Sequence, residues 1–181
     1  MIPYTMDMKI LVISDTHGNQ SMINDMVPIA ETADWVIHLG DDYSDALPFI
    51  EKKIPTIRVP GTWGKEYQDP MIDNRRFETF NGWALFLSHT PTKDPHDLHD
   101  DIDPEWVIQQ KKCHIFCHGH THQPSLKQSN NVTILNPGHL KRPFDRNYPA
   151  SYAIITPLTA SCHIQVIDFQ TSATIDCVTL K

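Results

Sequence analysis

Lys9-Ile-Leu-Val-Ile-Ser-Asp-Thr-His-Gly-Asn19 is the stretch from which the rest of the sequence can be read. Ile10 to Ile13 form a short, continuous apolar run closed by polar residues and a glycine, the pattern of a strand buried on both faces of a parallel sheet. At its carboxyl end stand Asp15 and His17, one residue apart, with Gly18 permitting a sharp bend. Open α/β sheets hold their ligands in the crevice outside the carboxyl ends of their strands. The pair alone decides nothing, since an aspartate also suits a turn for structural reasons.

The same arrangement recurs outward along the chain. Trp35 to Leu39 reads as a second strand, ending in Gly40-Asp41, and Pro55 to Val59 as a third, ending in Gly61-Thr62-Trp63-Gly64. Ala84 to Ser88 is a fourth, ending in His89; His114 to Cys117 a fifth, ending in His118-Gly119-His120-Thr121-His122. Val132 to Leu135 is a sixth, ending in Asn136-Pro137-Gly138. Apolar spacing predicts helices over Gln20 to Thr32, kinked or cut early by Pro28, and over Asp42 to Lys53. A third helix opens at Asp103-Pro104-Glu105 and runs through Lys112. Up to Val59 the order is β-α-β-α-β, which implies a parallel sheet with right-handed crossovers.

Arg76 to Phe80 and Trp83 to Leu87 flank Asn81-Gly82, the strongest short signal for a two-residue hairpin. Lys65 to Arg76 reads as a loop, and Thr90 to Pro104, rich in proline and aspartate, as an exposed loop over the crevice. Ser151 to Thr156, His163 to Phe169 and Ala173 to Leu180 read as strands of a second sheet, and the first eight residues as an extension.

A length of 181 residues suits one core, so a single domain over 1–181 is expected. No apolar run approaches the roughly 18 residues of a membrane span, and the first residues lack a basic start and an apolar segment, which points to a cytoplasmic protein that meets no membrane. The four cysteines form no Cys-x-x-Cys pair and are expected as small buried thiols. A net charge of -7 argues against a broad grip on nucleic acid but admits a phosphate ester, if metal ions supply the positive charge. A homo-oligomer is compatible with the composition.

In order and spacing, Asp15-x-His17, Gly40-Asp41, the glycine-flanked stretch at Gly61, His89, and Gly119-His120-Thr121-His122 resemble the motif series of the calcineurin-like metallophosphoesterases. The resemblance runs from about Lys9 to Ala153, and Asn136-Pro137-Gly138 matches the small bacterial phosphodiesterase branch. It implies a four-layer α/β/β/α sandwich of two mixed β-sheets and two divalent transition-metal ions, Mn first, with Fe, Zn or Ni as alternatives. Asp15, His17, Asp41 and His122 would hold one ion; Asp41, shared, with His89 and His120 would hold the other. These six would form the catalytic centre, with a hydroxide generated between the ions attacking a small phosphodiester.

One departure stands out. Where the family has Gly-Asn followed by His or Cys, this chain has Gly61-Thr62-Trp63. Thr62 offers a weaker oxygen than an amide, and an indole N–H donates but is no acid, so weaker binding of the second metal and reduced activity are expected. The alternative reading follows from it: a weak or inactive phosphoesterase fold acting as a protein-interaction scaffold, as in the retromer subunit that shares the fold. A nuclease is disfavoured by the short acidic chain.

The remaining histidines have structural readings. His118 is expected beside the ligands or on the backbone, His38, His114 and His163 inside strands, and His96 and His99 in a solvated acidic loop. Asn19 either caps a helix or meets phosphate, and Lys141, Arg142 and Arg146 either meet phosphate or are ordinary surface charge.

Overall fold

Residues 8–181 are described by the computed structural model, so the expected amino-terminal extension lies outside the described residues except for Met8. In chain order the strands and helices are β1 (Ile10–Ile13), α1 (Gln20–Ala30), β2 (Trp35–His38), α2 (Leu47–Glu51), β3 (Thr56–Arg58), β4 (Arg75–Phe80), β5 (Trp83–Ser88) and α3 (Pro104–Gln109). They continue with β6 (Ile115–Cys117), β7 (Ser125–Ser129), β8 (Val132–Asn136), β9 (Phe144–Asp145), β10 (Tyr148–Pro149), β11 (Ser151–Pro157), β12 (Cys162–Asp168) and β13 (Thr174–Leu180).

β1 is buried throughout because side chains alternate between two covered faces. Ile10 and Val12 pack between the sheets, with Leu85, Leu87, Ile115 and Leu135 opposite. Leu11 and Ile13 face α1 and α2, against Met26, Ala30 and Phe49. Each such side chain stabilises the fold by about 1.5–3 kcal/mol relative to exposure. On the far side α3 covers the second sheet through Val107 against Phe86 and Phe116. The result is the four-layer sandwich, helices outside and two mixed sheets within.

The first sheet has the order β13-β12-β11-β1-β2-β3, and the second β4-β5-β6-β8-β7. β1, β2 and β3 are parallel, as are β5, β6 and β8. Here one expectation fails. The last three strands do not build the second sheet; β11 pairs antiparallel with β1 (Leu11 opposite Ile154) and β12 and β13 extend the first sheet. Alternating apolar residues say that a strand has a core face, and long-range register says which sheet it joins.

Smaller differences have local causes. The Asn19 side chain accepts from Met22 N, the cap reading, and α1 passes through Pro28 to end two residues later, where only one hydrogen bond is lost. The helix expected over Asp42 to Lys53 divides into a 3₁₀ turn, Tyr43–Ala46, and α2, with Pro48 in the first turn of α2. α3 stops at Gln109 rather than Lys112. The expected loop after Gly64 contains a 3₁₀ turn at Lys65–Gln68. β7 was not expected; it pairs with β8 around Asn130-Asn131, both left-handed, as are Asn81-Gly82 and Arg146-Asn147 at two other hairpins.

The Thr90 to Pro104 loop is tied down by Arg75. This buried guanidinium donates to Ser88 Oγ, Thr90 Oγ1, the Ile102 carbonyl and Asp97 Oδ1, at 2.9–3.1 Å. Three cysteines are buried as expected, while Cys177 is exposed on the edge strand β13. Among the described residues no helix is long and apolar enough to cross a membrane.

Candidate metal centre

All six candidate ligands lie on the segments that follow β1, β2, β5 and β6, in one crevice between the two sheets. Five of them, Asp15, His17, Asp41, His120 and His122, have positive φ, between 48° and 67°. That conformation is uncommon for non-glycine residues, and its concentration here is strain held in place by the surrounding fold. Two glycines let the segments meet. At Gly119 an added Cβ would lie 1.9 Å from Ser14 Oγ and 2.6 Å from Asp15 Oδ2, and at Gly61 it would lie 2.4 Å from Asp41 Cα.

The side chains form two groups that share Asp41. Ligand atoms of Asp15, His17, Asp41 and His122 all lie within 4.8 Å of one another. His17 Nε2 is 2.6 Å from Asp41 Oδ2 and 3.0 Å from His122 Nε2, which is 3.3 Å from Asp15 Oδ1. The other oxygen of Asp41, Oδ1, is 3.5 Å from His89 Nε2, and that nitrogen is 3.2 Å from His120 Nδ1.

The surroundings set which ring nitrogens carry lone pairs. His89 Nδ1 stands 2.8 Å from the Leu39 carbonyl and His122 Nδ1 2.6 Å from Asp145 Oδ2, contacts a neutral ring can make only as a donor. In each, Nε2 is left as an acceptor aimed at carboxylate oxygen or another imidazole. Asp41 Oδ2 is buried and has no well-formed hydrogen bond among the described residues, despite the closeness of His17. Carboxylate oxygens and imidazole nitrogens converging on one spot fit divalent cations, and carboxylate with imidazole suits the transition metals.

Braces hold the candidate ligands. Both oxygens of Asp15 accept from His120 N, at 3.1 and 2.9 Å. Thr16 Oγ1 donates to Asp45 Oδ2 at 2.6 Å and sits 3.1 Å from His38 Nε2, fixing the turn between Asp15 and His17. Asn136 of the Asn-Pro-Gly stretch donates to Thr121 Oγ1 at 2.8 Å, supporting the loop that carries His120 and His122. His118 contacts the Gly119 carbonyl at 3.0 Å, the backbone role expected of it.

Asp145, absent from the sequence reading, is the main addition. It is buried, meets His122, and is paired with Arg142. Its one sequence cue is the Asp-Arg-Asn turn, which marks a hairpin but not what the hairpin touches. Arg142 is thereby engaged, while Arg146 Nη1 lies 3.5 Å from the His120 carbonyl and 3.4 Å from that of Thr121. Thr62 is buried and its hydroxyl has no hydrogen-bond partner among the described residues.

Protonation follows from burial and charge. Burial would push the Asp41 carboxyl up, but His17 and His89 beside it outweigh this and hold it at about 2. Burial, then the neighbouring His89, lowers the pKa of His120, and burial lowers those of His38 and His118 to about 4. His122 is the exception. Burial lowers its pKa, but Asp15 and Asp145 on either side raise it overall, so below that raised pKa a proton would compete with an ion for this ring. Ion affinity is therefore expected to fall about tenfold per pH unit below the raised pKa. Calorimetric Mn titrations across a series of pH values check this, and a pH-independent affinity would place His122 outside the site.

The calcineurin-like phosphoesterase superfamily domain model matches residues 8–159. Solved structures of the same fold include YfcE, a phosphoesterase from E. coli, with 22% identity and a TM-score of 0.68 over 96% of this chain and 100% of that one. An archaeal phosphodiesterase gives 21% and 0.63 over 96% of this chain and 100% of its own. Vps29 from Chaetomium thermophilum gives 13% and 0.71, covering 98% of both chains. A search of the curated proteins returns no match.

Proposed function

Because the chain belongs to the calcineurin-like phosphoesterase superfamily, we propose that it is a metal-dependent phosphodiesterase that hydrolyses small phosphodiesters in the crevice between its sheets. The observation that carries this reading is Asp41, which turns one carboxylate oxygen to the Asp15, His17 and His122 group and the other to His89. A carboxylate so placed can bridge two ions. Asp15, His17, Asp41 and His122 would hold one, and Asp41, His89 and His120 the other, with manganese the first candidate. When bound, such ions supply an activated water and positive charge for the phosphoryl oxygens.

The chain's own residues do the rest. Asp145 and the Leu39 carbonyl hold the His122 and His89 rings with Nε2 toward the crevice, so the donor atoms need no rearrangement. Arg146, exposed beside the His120 and Thr121 carbonyls, adds a cation near those ligands. Trp63 can donate a hydrogen bond but no proton to a departing oxygen, so phenolate leaving groups should depart faster than alkoxides.

Protein purified without chelator is expected to contain two ions by elemental analysis and, with added Mn, to turn over bis(p-nitrophenyl) phosphate. Thr62→Asn, which restores an amide oxygen beside Gly61, should tighten the second ion and raise turnover. Metal-free, inert protein after supplementation would favour the scaffold reading, which draws on the likeness to Vps29 and on the Thr62-Trp63 pair.

A further inference from the structure

Trp63 is 81% exposed, and exposure of one large side chain is ordinary. Its position is not. Trp63 lines a cleft of about 150 Å³ together with Gly64, Asp42 and two of the candidate ligands, His17 and Asp41. The indole stands on the tight turn closed by Gly64 N donating to the Gly61 carbonyl at 3.0 Å, and Gly61 is packed against the Asp41 backbone. An aromatic face is thus fixed to the same backbone junction that places the shared carboxylate.

The ring is also backed. His96 lies with its ring centroid 4.7 Å from that of Trp63, tilted by 59°. His96 is itself anchored: its backbone N and Nδ1 both contact Asp94 Oδ1, at 2.9 and 2.8 Å, and Gln68 Nε2 donates to its carbonyl at 2.6 Å. Asp97, one residue on, ties this loop to Tyr67 and to the buried Arg75. A backed, pre-positioned ring at a mouth of polar ligands is what binding a planar group requires, since little side-chain freedom is lost on contact.

We propose that Trp63 is a stacking platform for a planar aromatic arm of the substrate, making this a site for phosphodiesters that carry a nucleobase or aryl group. The inference rests on the phosphoesterase reading of the adjacent crevice. Stacking of one base on an aromatic side chain corresponds to about five- to 150-fold in affinity.

The test is calorimetric binding to the Mn-supplemented protein of two ligands that differ only in the base, AMP and ribose 5-phosphate. Wild type is expected to prefer AMP within that range, Trp63→Phe to keep most of the preference, and Trp63→Ala to lose it. Phenyl phosphate set against methyl phosphate then separates the sources: a Trp63-dependent preference there as well supports any aryl arm, and its absence limits the platform to nucleobases. If ribose 5-phosphate binds and AMP binds no better, or if Trp63→Ala keeps the preference, the platform is overturned while the phosphoesterase reading stands. If none of these phosphates binds wild type that turns over bis(p-nitrophenyl) phosphate, the platform alone is overturned; if that diester is not turned over either, both fall.

Discussion

Asp41→Asn is expected to lower turnover of the Mn-supplemented protein by roughly 10³-fold or more and to leave at most one ion per chain. A single pre-organised electrostatic contact is commonly worth about 10²–10³ in rate. Asp41 serves both groups of ligands, so its loss affects two such sets together. The amide is nearly isosteric but keeps a single oxygen, and its NH₂ would point at one imidazole lone pair or the other. Stability of the metal-free protein should also fall slightly at neutral pH. The folded-state pKa of Asp41 is held down to about 2, so the charged carboxylate stabilises the fold above its ordinary pKa, and that contribution disappears only as pH drops through about 2. A thermal melt of the metal-free variant therefore accompanies the kinetics. Two retained ions with turnover within tenfold of wild type would show that Asp41 does not bridge.

Gly61→Ala should be the most damaging substitution by a single methyl group. Its Cβ would meet Asp41 Cα at 2.4 Å and Asp41 N and O at 2.7 Å, all backbone atoms that no rotamer change can move aside. The expected cost is roughly 3 kcal/mol, the upper part of the range for overpacking. For a chain of this size that is a fall in Tm of about 6–12 °C. Gly61 N also donates to the Asp41 carbonyl at 3.1 Å, so relief of the clash moves the shared ligand, and weaker Mn binding should accompany the lower melting point. A melting temperature within about 2 °C of wild type would show that the junction is looser than its distances imply.

Local chemistry was the legible part of the site. Asp15, His17, Asp41, His89, His120 and His122 each follow a strand that apolar residues announce, and their types and spacing carry the family's motif series. Contacts made between distant segments were not legible. Asp145 reaches His122 from a short ribbon whose sequence encodes a turn and nothing about its neighbour. Likewise the loop of His96 reads from the sequence as solvated acidic chain, whereas the ring meets Trp63, and Arg75 seats the loop from a strand before it. The membership of β11 to β13 in the first sheet belongs to the same class. Apolar content says that β11 is central, but its partner, β1, lies at the far end of the chain.

That last pairing has a consequence for how the molecule comes into being. β1 lies between β2, which follows it closely, and β11, whose register couples Leu11 to Ile154. During synthesis β1 and β2 leave the ribosome well before β11, and β1 keeps a bare edge until β11 has emerged. The crevice must wait as well, because the Asp15 turn accepts a backbone hydrogen bond from Leu140, and His122 gains its carboxylate only from Asp145. Non-local closure of this kind slows folding and leaves apolar strand edges open to wrong partners in the interval. The nascent chain therefore keeps one edge of this buried apolar strand open until the residues of β11 have been made.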